Sequence, residues 1–193
     1  MDALMLKNVD YSYHGTEMHA VQRLSLTVPR GAVCRLAGRN GVGKSTVLKL
    51  AAGILAPSRG EVVRSGRVVY LNQDAYTFTA GHLTVWEHLQ ASGAQDRTRT
   101  KELLASYNIE LDRRLDDFVS ELSGGQRQIV ALLSTLKSNV EILCLDEFMS
   151  AMDSQSAERT MRILKKKYVT RDLTIMYVNH GGSFFETEML VEL

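Results

Sequence analysis

The chain has 193 residues, 45% of them hydrophobic and only two prolines, which suits one globular unit, with room for a subdomain, around a proper buried core. Twenty-three basic against twenty-two acidic residues leave a net charge of +1, which excludes the electrostatic footprint a nucleic-acid partner needs. No stretch approaches the ~20 apolar residues of a membrane span, and the start "MDALMLKNVD" lacks the basic end and apolar core of a signal peptide, so a soluble chain is expected. Cys34 and Cys144 lie in the apolar runs "AVCRLAG" and "EILCLDE", where they read as small buried hydrophobes in a reducing cytoplasm, not as a disulfide, ligands or nucleophiles.

In chain order, "ALMLKNVDYSY" and "LSLTVPRG" alternate apolar with polar positions, as half-buried antiparallel strands do. "AVCRLAG" is a short buried strand ending in glycine. The spacing of Val47, Leu48, Ala51 and Leu55 then predicts a helix over "KSTVLKLAAGIL", closed by "APSRG". A strand "RVVYLNQ" precedes a more helical middle, from about Leu83 to Leu136, without a strong strand candidate. Strands return as "EILCLDE" and "LTIMYVNH", flanking a helix "SQSAERTMRILKKKY". The expected fold is α/β: a nucleotide-binding core over about 1–78 and 138–193, opening on an antiparallel β subdomain, with a helical subdomain inserted over about 79–137.

The most specific local motif is "GRNGVGKST": Gly38, Arg39, Asn40, Gly41, Val42, Gly43, Lys44, Ser45 and Thr46. It satisfies G-x-x-x-x-G-K-[ST] between a buried strand and a helix, the setting of a phosphate-binding P-loop. The glycines let the backbone wrap a phosphate with N–H donors, Lys44 reaches the outer phosphates, and the Ser45 hydroxyl can ligate Mg²⁺. An ordinary glycine-rich turn would not require a lysine followed by two hydroxyls. Such a loop calls for an acidic residue at the end of a second buried strand. "EILCLDEF" supplies two, Asp146 to hold the metal and Glu147 to polarise the attacking water as general base.

Between these motifs stands "LSGGQ", Leu122 to Gln126, at the start of an apolar helical pattern. Ser123 is a good N-cap, and glycines at a helix start are either a flexible entry or a means of bringing an anion close to bare amides. The set "GRNGVGKST", "LSGGQ" and "LCLDE", in that order, resembles the ATP-binding cassette (ABC) family almost from end to end. The resemblance implies an ATPase with ATP and Mg²⁺ as cofactors. It implies Tyr13 as the aromatic that stacks on adenine; a core-packed strand aromatic is the alternative for Tyr13 and Tyr11 alike. Gln73 in "YLNQD" resembles the glutamine that senses Mg²⁺ and the γ-phosphate. Asp153 in "SAMD" resembles the aspartate that crosses to a second subunit, and His180 in "YVNH" the switch histidine at the γ-phosphate. In this family the signature Ser123, Gly124, Gly125 and Gln126 closes over the ATP of a partner subunit in a head-to-tail dimer.

The implied partners are a second ABC ATPase subunit, the same chain or another, and a transmembrane permease received near Gln73 to Leu89, a span that includes "TVWEHL". The expected location is cytoplasmic, peripheral at the inner face of the cell membrane, with membrane contact only through the permease and no nucleic-acid partner. The alternative is a soluble ABC-type ATPase of DNA repair, translation or cofactor assembly. The absence of a long coiled-coil insert and the single signature argue against two of these. Lys44, Glu147 and His180 argue against a non-hydrolysing regulatory subunit. Two departures from the family stand out. The helix "IVALLSTL", Ile129 to Leu136, carries no charge where the family has arginine, and only thirteen residues follow His180 (193 minus 180), which leaves a brief closing strand and no C-terminal regulatory domain. The runs Lys165–Lys167 and Asp96–Lys101 read as solvated helix faces.

Overall fold

The computed structural model describes residues 1–15, 19–74, 78–107, 110–169, 173–179, 184–185 and 189–193. In chain order these form β1 (Asp2–Ser12), β2 (His19–Pro29), β3 (Val33–Ala37), α1 (Lys44–Ala52), β4 (Arg59–Arg64), β5 (Val68–Asn72), α2 (Val85–Ala91), α3 (Arg97–Ser106), α4 (Gly124–Lys137), β6 (Ile142–Asp146), α5 (Ser154–Val169), β7 (Thr174–Val178) and β8 (Met189–Glu192). They gather into two compact units. The first holds Met1–Tyr70, Val140–Glu147 and Lys167–Leu193, and the second Leu71–Asn139 and Phe148–Lys166.

The first unit is built on two sheets. β1 lies between β2 and β4, and pairs antiparallel with each. The five-stranded sheet runs in the order β5-β6-β7-β3-β8, with the β6–β7, β7–β3 and β3–β8 pairings parallel. Every residue of β6 and β7 is buried, as expected of strands covered on both faces, and these are the continuous apolar runs seen in sequence. Cys34 and Cys144 pair across β7 with the same residue, Met176, and both are fully buried thiols outside any disulfide. Burial pushes the Cys144 thiol up to about 12, so it stays protonated and inert. The α/β class, with an antiparallel N-terminal sheet and a parallel core, agrees with the sequence reading.

Two local details differ from it. The helix after the P-loop stops at Ala52 rather than Leu55, because Gly53 adopts φ 80 and its N–H closes on the Leu50 carbonyl while that of Ile54 closes on Lys49, a left-handed C-cap. The strand β4 has no counterpart in the sequence pattern. It is an edge strand, exposed over Arg59–Glu61 and half-buried over Val62–Arg64, so no alternation marks it.

In the second unit, α2 starts with a capping box: the Thr84 hydroxyl accepts from the Glu87 amide at 3.2 Å, and the Glu87 carboxylate accepts from the Thr84 amide at 2.8 Å. Asp96 caps α3 by accepting from the Arg99 amide at 3.0 Å. Short 3₁₀ turns at Glu110–Arg113 and Val119–Glu121 lead into α4. Among the described residues, no helix is long and apolar enough to cross a membrane.

Arg64, on β4, ties the two layers of the first unit together. Its Nε and Nη2 donate to the carbonyls of Ala51 and Leu50 at 2.7 and 2.5 Å, the last carbonyls of α1, where the helix dipole favours a cation. Arg64→Ala is expected to lower the unfolding free energy by about 2 kcal/mol in urea titration, the size of a partly buried cation at a helix C-terminus. Arg64→Lys is expected to recover only part of that, since it lacks the forked geometry.

Candidate nucleotide site and signature helix

The P-loop leaves the C-terminal end of β3 and enters α1. Gly43 is the residue before the helix, at φ 105, and a Cβ there would collide with the Ala20 carbonyl of β2. Only glycine permits both the left-handed turn and this approach of the loop to the antiparallel sheet. The first α1 amides, those of Lys44, Ser45 and Thr46, have no acceptor within the helix, which leaves a cluster of outward donors with the positive end of the dipole behind it. Val47, Leu48, Leu50 and Ala51 are fully buried and anchor α1 on β6 and β7.

Lys44 is buried and folds back over the loop, its Nζ donating to the carbonyls of Gly38 and Arg39 at 2.8 and 2.9 Å. An ammonium has three donors, so one remains for a phosphate. Asn40, Gly41, Gly43, Lys44, Ser45 and Thr46 line a cleft of about 570 Å³ together with Tyr13, His19, Ala20 and Glu147. Gly38, Arg39 and Val42 are not among its lining residues; the first two act through their carbonyls, and Val42 is exposed. Tyr13 lines the cleft, 42% exposed, with its hydroxyl hydrogen-bonded to Thr46 Oγ1 at 3.1 Å and its ring perpendicular to that of Tyr11, centroids 5.0 Å apart. Tyr11 does not line the cleft.

At the end of β6 the two carboxylates part company. Asp146 is buried; its Oδ1 accepts from the Ser45 hydroxyl at 2.9 Å and its Oδ2 from the Tyr70 hydroxyl at 2.6 Å. Burial, followed by the hydrogen bond to Asp146, raises the Tyr70 phenol well above its ordinary value, which keeps it a donor. Glu147 lines the cleft at φ 50, a left-handed conformation rare for a residue with a side chain, and its amide donates to the Val178 carbonyl of β7 at 3.0 Å. Ser45 and Asp146 supply the hard oxygen donors a divalent cation takes. No cluster of three or more His, Cys, Asp or Glu suited to a metal occurs among the described residues, so a cation here would share its sphere with phosphate and water. His180 lies outside the described residues.

The remaining named residues belong to the second unit. Gln73 accepts from the Ser150 hydroxyl at 3.3 Å, and its own carbonyl accepts from Gln128 Nε2 at 2.9 Å. Ser123 is the N-cap of α4: its hydroxyl accepts from the Gln126 amide at 3.3 Å, while Gln126 Oε1 accepts from the Ser123 amide at 3.1 Å. Arg114 holds this turn in place, donating to Gln126 Oε1 at 2.9 Å and to Asp117 at 2.6 Å. Asp153 caps α5, with one carboxylate oxygen accepting from the Ser156 hydroxyl at 2.7 Å and the other from the Ser156 amide at 2.9 Å; those bonds hold its pKa below the usual carboxylate range.

The two glycines of "LSGGQ" do different things. A Cβ on Gly124 would meet no atom within 4 Å, so the helix entry is open there. A Cβ on Gly125 would come within 2.7 Å of Ser156 Oγ and 2.9 Å of Ser156 Cβ. Gly125 therefore serves close packing of α4 on the start of α5, and Gly124 keeps the free approach. The uncharged Ile129–Leu136 run has a packing cause: every residue of α4 from Arg127 to Ser134 is buried, and a helix buried all round carries apolar residues all round.

Tyr70, Gln128 and Arg114 were absent from the sequence reading. Tyr70 looked like any strand aromatic, and no spacing rule marks a residue whose partner lies 76 positions away.

A P-loop on a parallel sheet, with a serine hydroxyl joined to a strand-end carboxylate, defines a phosphate-loop nucleotide-binding protein. A family model described as ABC transporter matches residues 21–150. The taurine import ATP-binding protein of Mesorhizobium japonicum is 31% identical over 194 residues, 94% of this chain and 75% of that protein. The ATP-dependent lipid A-core flippase of Haemophilus influenzae is 32% identical over 213 residues, 98% of this chain and 36% of that protein. In fold, cbiO1 of Clostridium perfringens, described as part of the ABC transporter complex cbiONQ, matches with a TM-score of 0.75 at 24% identity, over 93% of this chain and 79% of that one. The chain belongs to the ABC transporter family and is an ATP-binding, ATP-hydrolysing subunit that powers such a transporter. These relatives do not favour a soluble ATPase of repair, translation or cofactor assembly.

The glycine assignment has a direct check. Gly124→Ala is expected to leave the unfolding free energy unchanged or to raise it by up to ~1 kcal/mol, as alanine does in a helix. Gly125→Ala is expected to lower it by about 1–3 kcal/mol through overpacking. Urea titration of the two variants side by side measures both.

Proposed function

We propose that this ATPase works by closing head-to-tail with a second ABC subunit around two ATP molecules, each held by the P-loop of one chain and covered by the signature of the other. The observation that carries the reading is the cleft lined by the P-loop and Glu147, whose Ser45 hydroxyl donates to the Asp146 carboxylate. In it, Lys44 and the amides of Gly41 to Thr46 bind the β- and γ-phosphates, and Tyr13 stacks on the base. Ser45 and Asp146, and by the family resemblance Gln73, would hold Mg²⁺, which would supply neutralisation of phosphoryl charge. Glu147 takes a proton from water as its oxygen bonds to the γ-phosphorus; the bond from that phosphorus to the bridging oxygen breaks, and ADP and phosphate leave. His180 completes the contacts to the γ-phosphate.

The first unit is the nucleotide-binding core in this proposal, and the second carries the signature. The sequence-based division, with the helical part over about 79–137, differs from the compact second unit chiefly over Phe148–Lys166, which packs with the helices. Ser123, Gly124, Gly125 and Gln126 act in trans, and Asp153 faces the second subunit with its loop braced by the α5 cap. The open side of Gly124 supports an approaching phosphate. A transmembrane permease is the coupled partner, supported by the relatives' transport roles, and it would place the chain on the cytoplasmic face of the membrane.

Without nucleotide, the isolated chain is expected to be a monomer. In a Glu147→Gln background, Mg-ATP is expected to convert it to a dimer. Adding Ser123→Arg is expected to abolish that dimer while the monomer still binds ATP. Light scattering after size exclusion and a fluorescent-nucleotide titration measure the two quantities on the same samples. Loss of monomer binding would put Ser123 in its own chain's site, and an undisturbed dimer would remove it from the contact.

A further inference from the structure

Both oxygens of Asp146 are committed to hydroxyl donors: Ser45, which belongs to the P-loop, and Tyr70, which belongs to no motif. Tyr70 is 9% exposed, so its hydroxyl has little access to water. Its bond of 2.6 Å is within the range of a charge-assisted O–H···O⁻ contact, roughly 2.5–2.7 Å. A carboxylate gripped at one oxygen by a rigid buried phenol cannot rotate freely about its Cβ–Cγ bond, and the other oxygen is thereby aimed at Ser45. We infer that Tyr70 is a positioning residue for the metal site, orienting the Asp146 carboxylate so that it and the Ser45 hydroxyl meet a divalent cation as one preformed pair. The inference rests on the reading of Ser45 and Asp146 as the metal-binding pair.

The competing account gives Tyr70 a purely structural part, in which its hydroxyl merely satisfies a buried carboxylate. The two accounts diverge in what the hydroxyl controls. A structural donor, when removed, lowers stability and leaves the affinity of the folded site for metal unchanged. A positioning donor lowers metal affinity in the fully folded protein, by about 10-fold or more, as loss of an outer hydrogen bond to a metal ligand does. Nucleotide affinity without metal belongs to the loop amides, Lys44 and Tyr13, whereas the Tyr70 hydroxyl donates to Asp146, so that affinity stays unchanged.

The experiment titrates Mn²⁺, followed by electron paramagnetic resonance, into the full chain saturated with a non-hydrolysable ATP analogue. Wild type, Tyr70→Phe, Tyr70→Met and Asp146→Asn are compared at a temperature where each is folded by circular dichroism. Analogue binding in EDTA is measured in parallel. The free Mn²⁺–nucleotide complex is subtracted using the Lys44→Ala chain, whose nucleotide site is weakened. Expected are a loss of Mn²⁺ affinity of about 10-fold or more in both Tyr70 variants, a larger loss in Asp146→Asn, and equal analogue binding in EDTA for the Tyr70 variants and wild type. Tyr70→Met retains bulk without a donor, so agreement between the two variants ties the effect to the hydroxyl. Wild-type Mn²⁺ affinity in both Tyr70 variants, with Asp146→Asn impaired, would overturn the positioning role alone. Wild-type affinity in Asp146→Asn would overturn the metal reading beneath it.

Discussion

The Asp146 carboxylate is the point on which the nucleotide site is assembled. It ends β6, a strand buried along its whole length, and a carboxyl group there is tolerated only when its oxygens are hydrogen-bonded. The donors come from residues 45 and 70, so one side chain fixes the start of α1, the middle of β5 and the end of β6 with respect to each other. Glu147 follows directly and is held at φ 50 by its bond to β7. A strained backbone at that position turns its side chain into the cleft instead of continuing the alternation of the strand, and the sheet around it bears the cost.

The loop opposite is equally constrained. Lys44 spans the P-loop and bonds the carbonyls of its own first residues, so the loop is shaped before any phosphate arrives. Gly43 presses against Ala20, which links the loop to the antiparallel sheet and brings Tyr13 and Thr46 within hydrogen-bonding reach of each other. In the proposed site, a base on Tyr13 and phosphates on the α1 amides would be positioned by one covalent turn and one side-chain bond. Preorganisation of this kind lets binding energy go to the transition state rather than to ordering the site.

The local part of this design could be read directly from the sequence. A P-loop is a contiguous backbone device, so "GRNGVGKST" specifies strand, turn and helix within nine residues. Strands β6 and β7 were equally plain, since burial on both faces writes an unbroken apolar run. What depended on distant partners was not legible. The β4 edge has no buried face to impose a period, Arg114 acts through Gln126 twelve residues on, and Tyr70 through Asp146 seventy-six on. The signature glycines looked equivalent because their difference lies in Ser156, thirty-one positions past Gly125. The end of α1 was misplaced for a related reason: Gly53 is only a helix stop once its left-handed φ is known.

The central claim is that Glu147 activates water at a site that binds ATP without it. Phosphate release by the purified chain under saturating Mg-ATP, set beside fluorescent-nucleotide affinity for wild type, Glu147→Gln and Lys44→Ala, tests this most directly. The expected result is that Glu147→Gln nearly abolishes turnover with ATP affinity close to wild type, whereas Lys44→Ala weakens binding itself. Undiminished turnover in Glu147→Gln would contradict the account, because the base would then have to be another group.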